Sequence, residues 1–288
     1  MAVTVFRPTG LAEALAALAA EPDAHVLAGG TDLMVEVNHG GRRPPAVVAV
    51  GRIPELRGWS VAGGRVRVGA ALTYTEMLAP GFAALAPALA QAARTVGSPQ
   101  IRNAGTIGGN VGTASPAGDT LPVLAALDAD VEVASAAGTR RVPLRDLITG
   151  PKRTALGPGE LVVAVTIPAA GQGDAQEYLK VGTRNAMVIA VASCAVIASR
   201  SARRVTVGLG SVGPVPLRAA EAEAWAAQEL DWDAASAADV ATFGRLVAEA
   251  ARPIDDHRST ASYRRRAVQV LAERGLRRCL SAVRDEAA

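Results

Sequence analysis

The chain is short of the groups that would announce several kinds of chemistry. Aromatic residues are 3% of its 288 positions. That scarcity excludes base-stacking platforms for single-stranded nucleic acid, and it means that any core is built from Ala, Val and Leu. There are two cysteines, Cys194 and Cys279, in no metal-like spacing. A [2Fe–2S] cluster is usually held by four thiolates, so none is expected on this chain, and both thiols read as buried side chains in a reducing compartment. The three histidines, His25, His39 and His257, have no partner four residues away, so no metal site is expected. Charge is nearly balanced, with 30 basic and 27 acidic residues and a formal net charge of +3, too mild a surplus for a nucleic-acid surface. No basic segment followed by an apolar one opens the chain, so no signal peptide is expected. The longest apolar run, 186–199, falls short of the ~18–20 residues a membrane span needs. Rich in Val, Ile and Ala between Arg184 and Arg200, it reads as a buried strand. A soluble, cytoplasmic protein is expected.

What the chain does have is small residues in two places. The stretch Asn103 to Asp119 holds five glycines, two threonines (Thr106, Thr113), Ser115 and two asparagines. It reads as a loop whose N–H groups stand uncovered, because no Cβ atoms lie in front of them. A second such run is Leu27-Ala28-Gly29-Gly30-Thr31-Asp32-Leu33. Successive bare N–H groups make a concavity for phosphate oxygens. Two such loops suggest one dianionic ligand held from two sides, with a diphosphate-bearing cofactor as the natural candidate.

In chain order, a helix is expected over 11–20, closed by Pro22, then a short strand over 25–28, a helical turn over 33–37 and a strand over 46–50. A hairpin turning at Gly63-Gly64 is expected within 59–71, followed by a capping-box pattern, Thr73 to Glu76, that opens a helix. One Ala-rich helix is expected over 82–96 and a short one over 119–127, with Asp119 at its N-terminal end. Hairpin strands 131–134 and 140–142, a helical turn at 144–148, and a Gly-Pro-Gly-Glu turn into a strand over 161–167 complete the first half. The small, polar segment 169–173 is read as a boundary. Three strands follow, over 176–181, 188–198 and 203–209, then helices over 219–230, 237–251 and 260–274. Strands in a run and then helices in a run indicate an α+β second domain. The domains are therefore 1–173 and 174–288.

Gly208-Leu-Gly210-Ser-Val-Gly213 matches G-x-G-x-x-G after a strand. That fingerprint requires a helix opening at the glycines, and Pro214-Val215-Pro216 intervenes. It reads as a turn that ends a strand.

Ala28-Gly29-Gly30-Thr31-Asp32-Leu33 and Thr106-Ile107-Gly108-Gly109-Asn110 resemble the two FAD loops of the medium, FAD-binding subunits of molybdenum hydroxylases, of the xanthine dehydrogenase and carbon monoxide dehydrogenase type. Val96 to Asn103, Gly159-Glu160-Leu161-Val162, Lys180 to Met187 and Asp255 to Arg266 are similar to further segments of that family in the same order, so the resemblance spans nearly the whole chain. Many members have an acid after the Ala-Met that closes the segment Lys180 to Met187. Val188 stands there, which looks more like the subunits of purine or N-heterocycle hydroxylases than those of carbon monoxide dehydrogenases.

The resemblance implies a fold: an α+β FAD-binding domain of two subdomains, about 1–57 and 58–173, of the vanillyl-alcohol-oxidase (PCMH) type, followed by a small α+β C-terminal domain with a three-stranded sheet and helices. It implies that Leu27, Ala28, Gly29, Gly30, Thr31, Asp32 and Leu33, with Thr106, Ile107, Gly108, Gly109 and Asn110, wrap the diphosphate of FAD, with Thr113 and Ser115 beside them. Asp119 would accept from a cofactor hydroxyl, or cap a helix. Leu161 and Val162 would lie near the flavin ring, and Lys180 would approach the cofactor as a cation. Molybdopterin and two [2Fe–2S] clusters would sit on a large and a small partner subunit, in a heterotrimer alone or dimerised. Electrons would reach non-covalently bound FAD here and leave to NAD or another acceptor. The cofactor does the redox chemistry, so no catalytic acid or base and no metal ligand is nominated. The alternative is a stand-alone FAD-dependent oxidoreductase.

Overall fold

The computed structural model describes residues 3–40 and 43–285. The chain opens with β1 (Thr4–Phe6), α1 (Leu11–Ala20), β2 (His25–Leu27), α2 (Leu33–Asn38) and β3 (Ala46–Ala49). These strands form a parallel sheet in the order β1-β3-β2. β1 was not expected, because three residues are too few to show a period. Helix α1 buries Ala14 and Leu18 with Val48, Val50 and Ile53 in the first core.

The second lobe begins with the expected hairpin, β4 (Trp59–Ala62) and β5 (Arg65–Gly69). The Thr73–Glu76 box forms as expected: Glu76 accepts from the Thr73 N–H and hydroxyl, both at 2.7 Å. What it opens is a single 3-10 turn, Glu76–Leu78. The single Ala-rich helix is in fact two, α3 (Pro80–Leu85) and α4 (Pro87–Thr95). Pro87 has no N–H to continue the first and sits well at the start of the second. Next come α5 (Pro99–Ala104), α6 (Ile107–Thr113), α7 (Leu121–Ala126), β6 (Asp130–Ser135), β7 (Gly138–Pro143), α8 (Leu144–Leu147), β8 (Ile148–Gly150), β9 (Arg153–Thr154) and β10 (Leu161–Pro168). The main sheet has the order β4-β5-β10-β6-β7, and β8 pairs with β9 apart from it.

The stretch read as an open loop, 103–119, is therefore largely helical. Each glycine in a helix costs about 1 kcal/mol, and α6 holds three. Two things outweigh that cost: the Thr106 hydroxyl accepts the Gly109 N–H at 3.0 Å, and Ile107 and Val111, one turn apart, are fully buried. Asp119 caps no helix; α7 begins two residues later without a side-chain cap.

The rest comprises β11 (Asp174–Val181), β12 (Ala192–Ser199), β13 (Arg204–Gly210), β14 (Leu217–Arg218), α9 (Ala220–Gln228), α10 (Ala237–Ala250) and α11 (Ala261–Asp285). The sheet has four strands where three were expected, because Leu217 and Arg218 return to pair with β13. β12 starts at Ala192, four residues later than expected, and α11 runs eleven residues further. From Ala192 to Ser199 the apolar run is explained by burial on both faces of the sheet, whereas Met187 and Ile189, ahead of the strand, are exposed. Cys194 lies in the core under α9, α10 and α11, while its neighbour Ala195 lies in the core of the second lobe. Helix α7 packs so close there that a Cβ on Gly208 would stand 1.8 Å from the Pro122 carbonyl oxygen. The G-x-G-x-x-G match thus serves packing. Among the described residues no helix is long and apolar enough to cross a membrane, and no cluster of side chains is suited to a metal. Both cysteines are buried, and burial pushes the Cys194 thiol up to about 12.

Candidate functional site

Between the first two lobes lies a cleft of about 340 Å³. One wall is the end of β2 with the turn into α2, Leu27 to Leu33. The opposite wall is Thr106, Gly108, Gly109, Asn110, Gly112 and Thr113 of α6, and Leu161 and Val162 of β10 close the floor. Residues from these three separate places in the sequence thus meet in one cavity. Ile107, Ser115, Asp119 and Lys180 are not brought to its lining; Ile107 is wholly buried in the core behind it.

The two small-residue walls differ chemically. In the first, the N–H groups of Gly29, Gly30, Thr31 and Asp32 donate to no acceptor among the described residues. Four successive bare amides make an anion nest. Gly30 requires its glycine, with φ +72°. Gly29 requires its own for another reason: a Cβ there would stand 1.7 Å from the Ala104 carbonyl oxygen. In the second wall the amides are committed. Ile107 donates to the Leu72 carbonyl, Gly108 to that of Ala70, and Gly109 to the Thr106 hydroxyl. The expectation of two amide cradles is corrected to one cradle and a second wall in which glycines alternate with Thr106, Asn110 and Thr113. At Gly108 a Cβ would meet Ala70 at 2.5 Å, and at Gly112 it would meet open space.

Asp119 and Lys180 lie behind the cleft and bind each other. Lys180 Nζ donates to Asp119 Oδ2 at 2.7 Å and to the Thr95 carbonyl at 3.1 Å. Tyr178 donates to Asp119 Oδ1 at 2.9 Å. Burial pushes the Asp119 carboxyl up, and Lys180 and Tyr178 oppose that push. Asp119 adjoins Thr120, whose hydroxyl donates to the side-chain Oδ1 of Asn110 at 2.5 Å, so the residue next to the buried pair is tied to the glycine wall.

Sequence reasoning missed Tyr74, Glu36 and Lys152, all on the lining. Tyr74 was absorbed into a capping pattern. Burial, then the fields of Asp119 and Asp32, raise its phenol. Glu160 was read only as part of a turn. Its carboxylate accepts from Arg140 at 2.6 and 2.7 Å and from the Gly157 N–H at 2.7 Å, and the arginine holds it below the usual range.

Such a cleft takes an elongated cofactor bearing a diphosphate, and the fold around it is that of an FAD-binding flavoprotein domain. A family model described as the FAD binding domain in molybdopterin dehydrogenase matches residues 1–170, and one described as the CO dehydrogenase flavoprotein C-terminal domain matches residues 177–279. A putative xanthine dehydrogenase FAD-binding subunit of Escherichia coli (strain K12) is 33% identical over 223 residues, covering 75% of this chain and 76% of that one. The glyceraldehyde dehydrogenase medium chain of Sulfolobus acidocaldarius is 33% identical over 270 residues, covering 92% and 94%. Carbon monoxide dehydrogenase from Hydrogenophaga pseudoflava superposes with a TM-score of 0.90 at 30% identity, over 98% of both chains. The chain belongs to the FAD-binding medium subunits of the molybdenum hydroxylase family. It is an oxidoreductase subunit whose cofactor is FAD, and molybdopterin and iron–sulfur clusters belong to other subunits of such complexes.

Proposed function

We propose that this chain is the electron relay of a heterotrimeric molybdenum hydroxylase, alone or dimerised. A small iron–sulfur subunit would deliver electrons to its FAD, and NAD or another acceptor would remove them. A large molybdopterin subunit would oxidise the organic substrate. The observation that carries the reading is the run of four bare amides, Gly29 to Asp32, in one cleft with the glycine-rich wall of α6.

When bound, FAD supplies one- and two-electron redox chemistry. The chain's own residues bind and orient it. The amides of Gly29 to Asp32 would donate to diphosphate oxygens, while Leu27, Ala28 and Leu33 hold that turn in place. Thr106, Gly108, Gly109, Asn110 and Thr113 would let the cofactor approach the backbone of α6 closely. Leu161 and Val162 would give the flavin ring an apolar floor. Ile107, Ser115, Asp119 and Lys180 would act from behind, by fixing that wall. We assign no proton-transferring group. The division into domains at 173, with a subdomain boundary near 57, follows from the same reading and puts the cleft between the two halves of the FAD domain.

Purification from the native host with flavin, iron and molybdenum analysis tests the proposal. Equimolar FAD on a complex with two further chains supports it. Substrate turnover by this chain alone would favour the stand-alone oxidoreductase.

A further inference from the structure

An ion pair spans the mouth of the cleft. Lys152 Nζ donates to Glu36 Oε1 at 2.6 Å. Glu36 belongs to α2 on one lobe, and Lys152 sits in the turn between β8 and β9 on the other. Among the described residues that line the cleft, Lys152 is the sole lysine or arginine; the acidic ones are Asp32, Glu36 and Glu160. Glu160 is matched by Arg140 from outside the cleft. Among the described residues of the lining, a diphosphate entering here meets Asp32, Glu36 and one cation, Lys152.

The backbone presents that cation from a fixed position. Lys152 adopts a left-handed conformation, φ +54°, uncommon for a residue with a Cβ. Its N–H donates to the carbonyl of Ala114, the residue that ends α6, at 2.9 Å. The lysine is therefore anchored to the glycine helix that forms the far wall. Its partnership with Glu36, by contrast, is loose. The two side chains are 55% and 30% exposed, and an ion pair that open to water holds weakly. A charge-assisted hydrogen bond to a phosphate oxygen inside the cleft is the stronger alternative.

We propose that Lys152 is a specificity residue for the cofactor's diphosphate, held by Glu36 until the dianion arrives and then handed over to it. Glu36 keeps the ammonium at the mouth of the cleft and competes with the cofactor for it. Bare amides supply only partial charges, and Lys152 supplies the full positive charge that offsets the dianion beside Asp32. This rests on the FAD reading above.

The test is FAD titration of the flavin-free full chain, following flavin fluorescence, at several salt concentrations, with circular dichroism to confirm the fold of each variant. Lys152→Gln should weaken FAD binding by at least about tenfold and flatten its salt dependence. Lys152→Arg should restore most of both. Glu36→Gln, which removes the competitor, should leave affinity unchanged or tighter. Equal weakening by Lys152→Gln and Glu36→Gln would make the pair a clasp between lobes and overturn the hand-over. Unchanged affinity and salt dependence in a folded Lys152→Gln chain would overturn it while leaving the FAD reading intact. A wild-type chain that binds no FAD would bring down both.

Discussion

Gly29→Ala is the sharpest probe of how the cleft is held together. The glycine carries no positive-φ requirement, so a tolerant backbone would accept a methyl group there. What forbids it is distance. An ideal Cβ would lie 1.7 Å from the Ala104 carbonyl oxygen and 2.4 Å from its carbon. Both are backbone atoms at the end of α5, so no side chain can swing aside. To reach even 3.0 Å, the first loop and the end of α5 must separate by about 1.3 Å. Interiors packed to crystal density do not yield that cheaply. Overpacking costs typically 1–3 kcal/mol, occasionally more, and a backbone-to-backbone clash belongs at the upper end, about 3 kcal/mol. At roughly 2–4 °C per kcal/mol for a chain of this size, the melting temperature should fall by about 6–12 °C. FAD affinity should fall with it, since the displaced loop carries the bare amides. Gly81→Ala is the control: it lies in α3, away from the cleft, and its Cβ would meet nothing within 4 Å. It should melt at or slightly above the wild-type temperature and bind FAD normally. Scanning calorimetry and flavin titration read both outcomes. A Gly29→Ala chain with wild-type melting and affinity would refute the reasoning.

Other consequences are equally direct. Lys180→Met leaves Asp119 ionised with no cation, at a site where the two side chains are 6% and 9% exposed; removing one partner of a buried pair costs about 3–5 kcal/mol, measurable by urea denaturation. Because burial holds the Asp119 carboxyl above its ordinary value, the folded state takes up its proton more readily than the unfolded chain does. The deficit of that variant should therefore shrink as pH falls and grow as pH rises. Asp256 behaves in the opposite sense: against the push of burial, the Arg258 and Ser259 amides and the Arg264 guanidinium hold its carboxyl down at about 2. Its contribution is complete above the ordinary aspartate range and lost as pH falls toward 2, so Asp256→Asn should flatten that part of the acid-denaturation curve. The flavin should be bound without a covalent link, so acid precipitation should leave a colourless pellet and a yellow supernatant; a yellow pellet would direct attention to His25, which borders the cleft.

Much of the fold was legible because it is written in local patterns. The hairpin at Gly63-Gly64, the helix over 11–20 and the strand from Leu161 each carry their own period and their own stop signals. The errors came where a contact distant in sequence outweighed local preference. Glycine content argued for a loop at 107–113, and burial of Ile107 and Val111 made a helix of it. The two residues of β14 have no strand signal of their own and exist because β13 offers an unpaired edge. The site was legible as composition: two glycine stretches and an apolar pair after a turn do meet in one cleft. It was not legible as chemistry, since nothing in the sequence distinguishes bare amides at Gly29 to Asp32 from committed ones at Ile107 to Gly109.

The sequence by itself determined that there are two glycine-rich stretches, too few thiols on this chain for a cluster, and an ordered set of segments shared with FAD-binding medium subunits. Only the tertiary structure decided which amides remain free, and which charges meet. Lys180 finds Asp119 across 61 residues, and Lys152 finds Glu36 across 116. The reason is physical: propensity and periodicity act over a few residues, whereas the partner of a charge so distant in sequence is chosen by how separate parts of the chain pack.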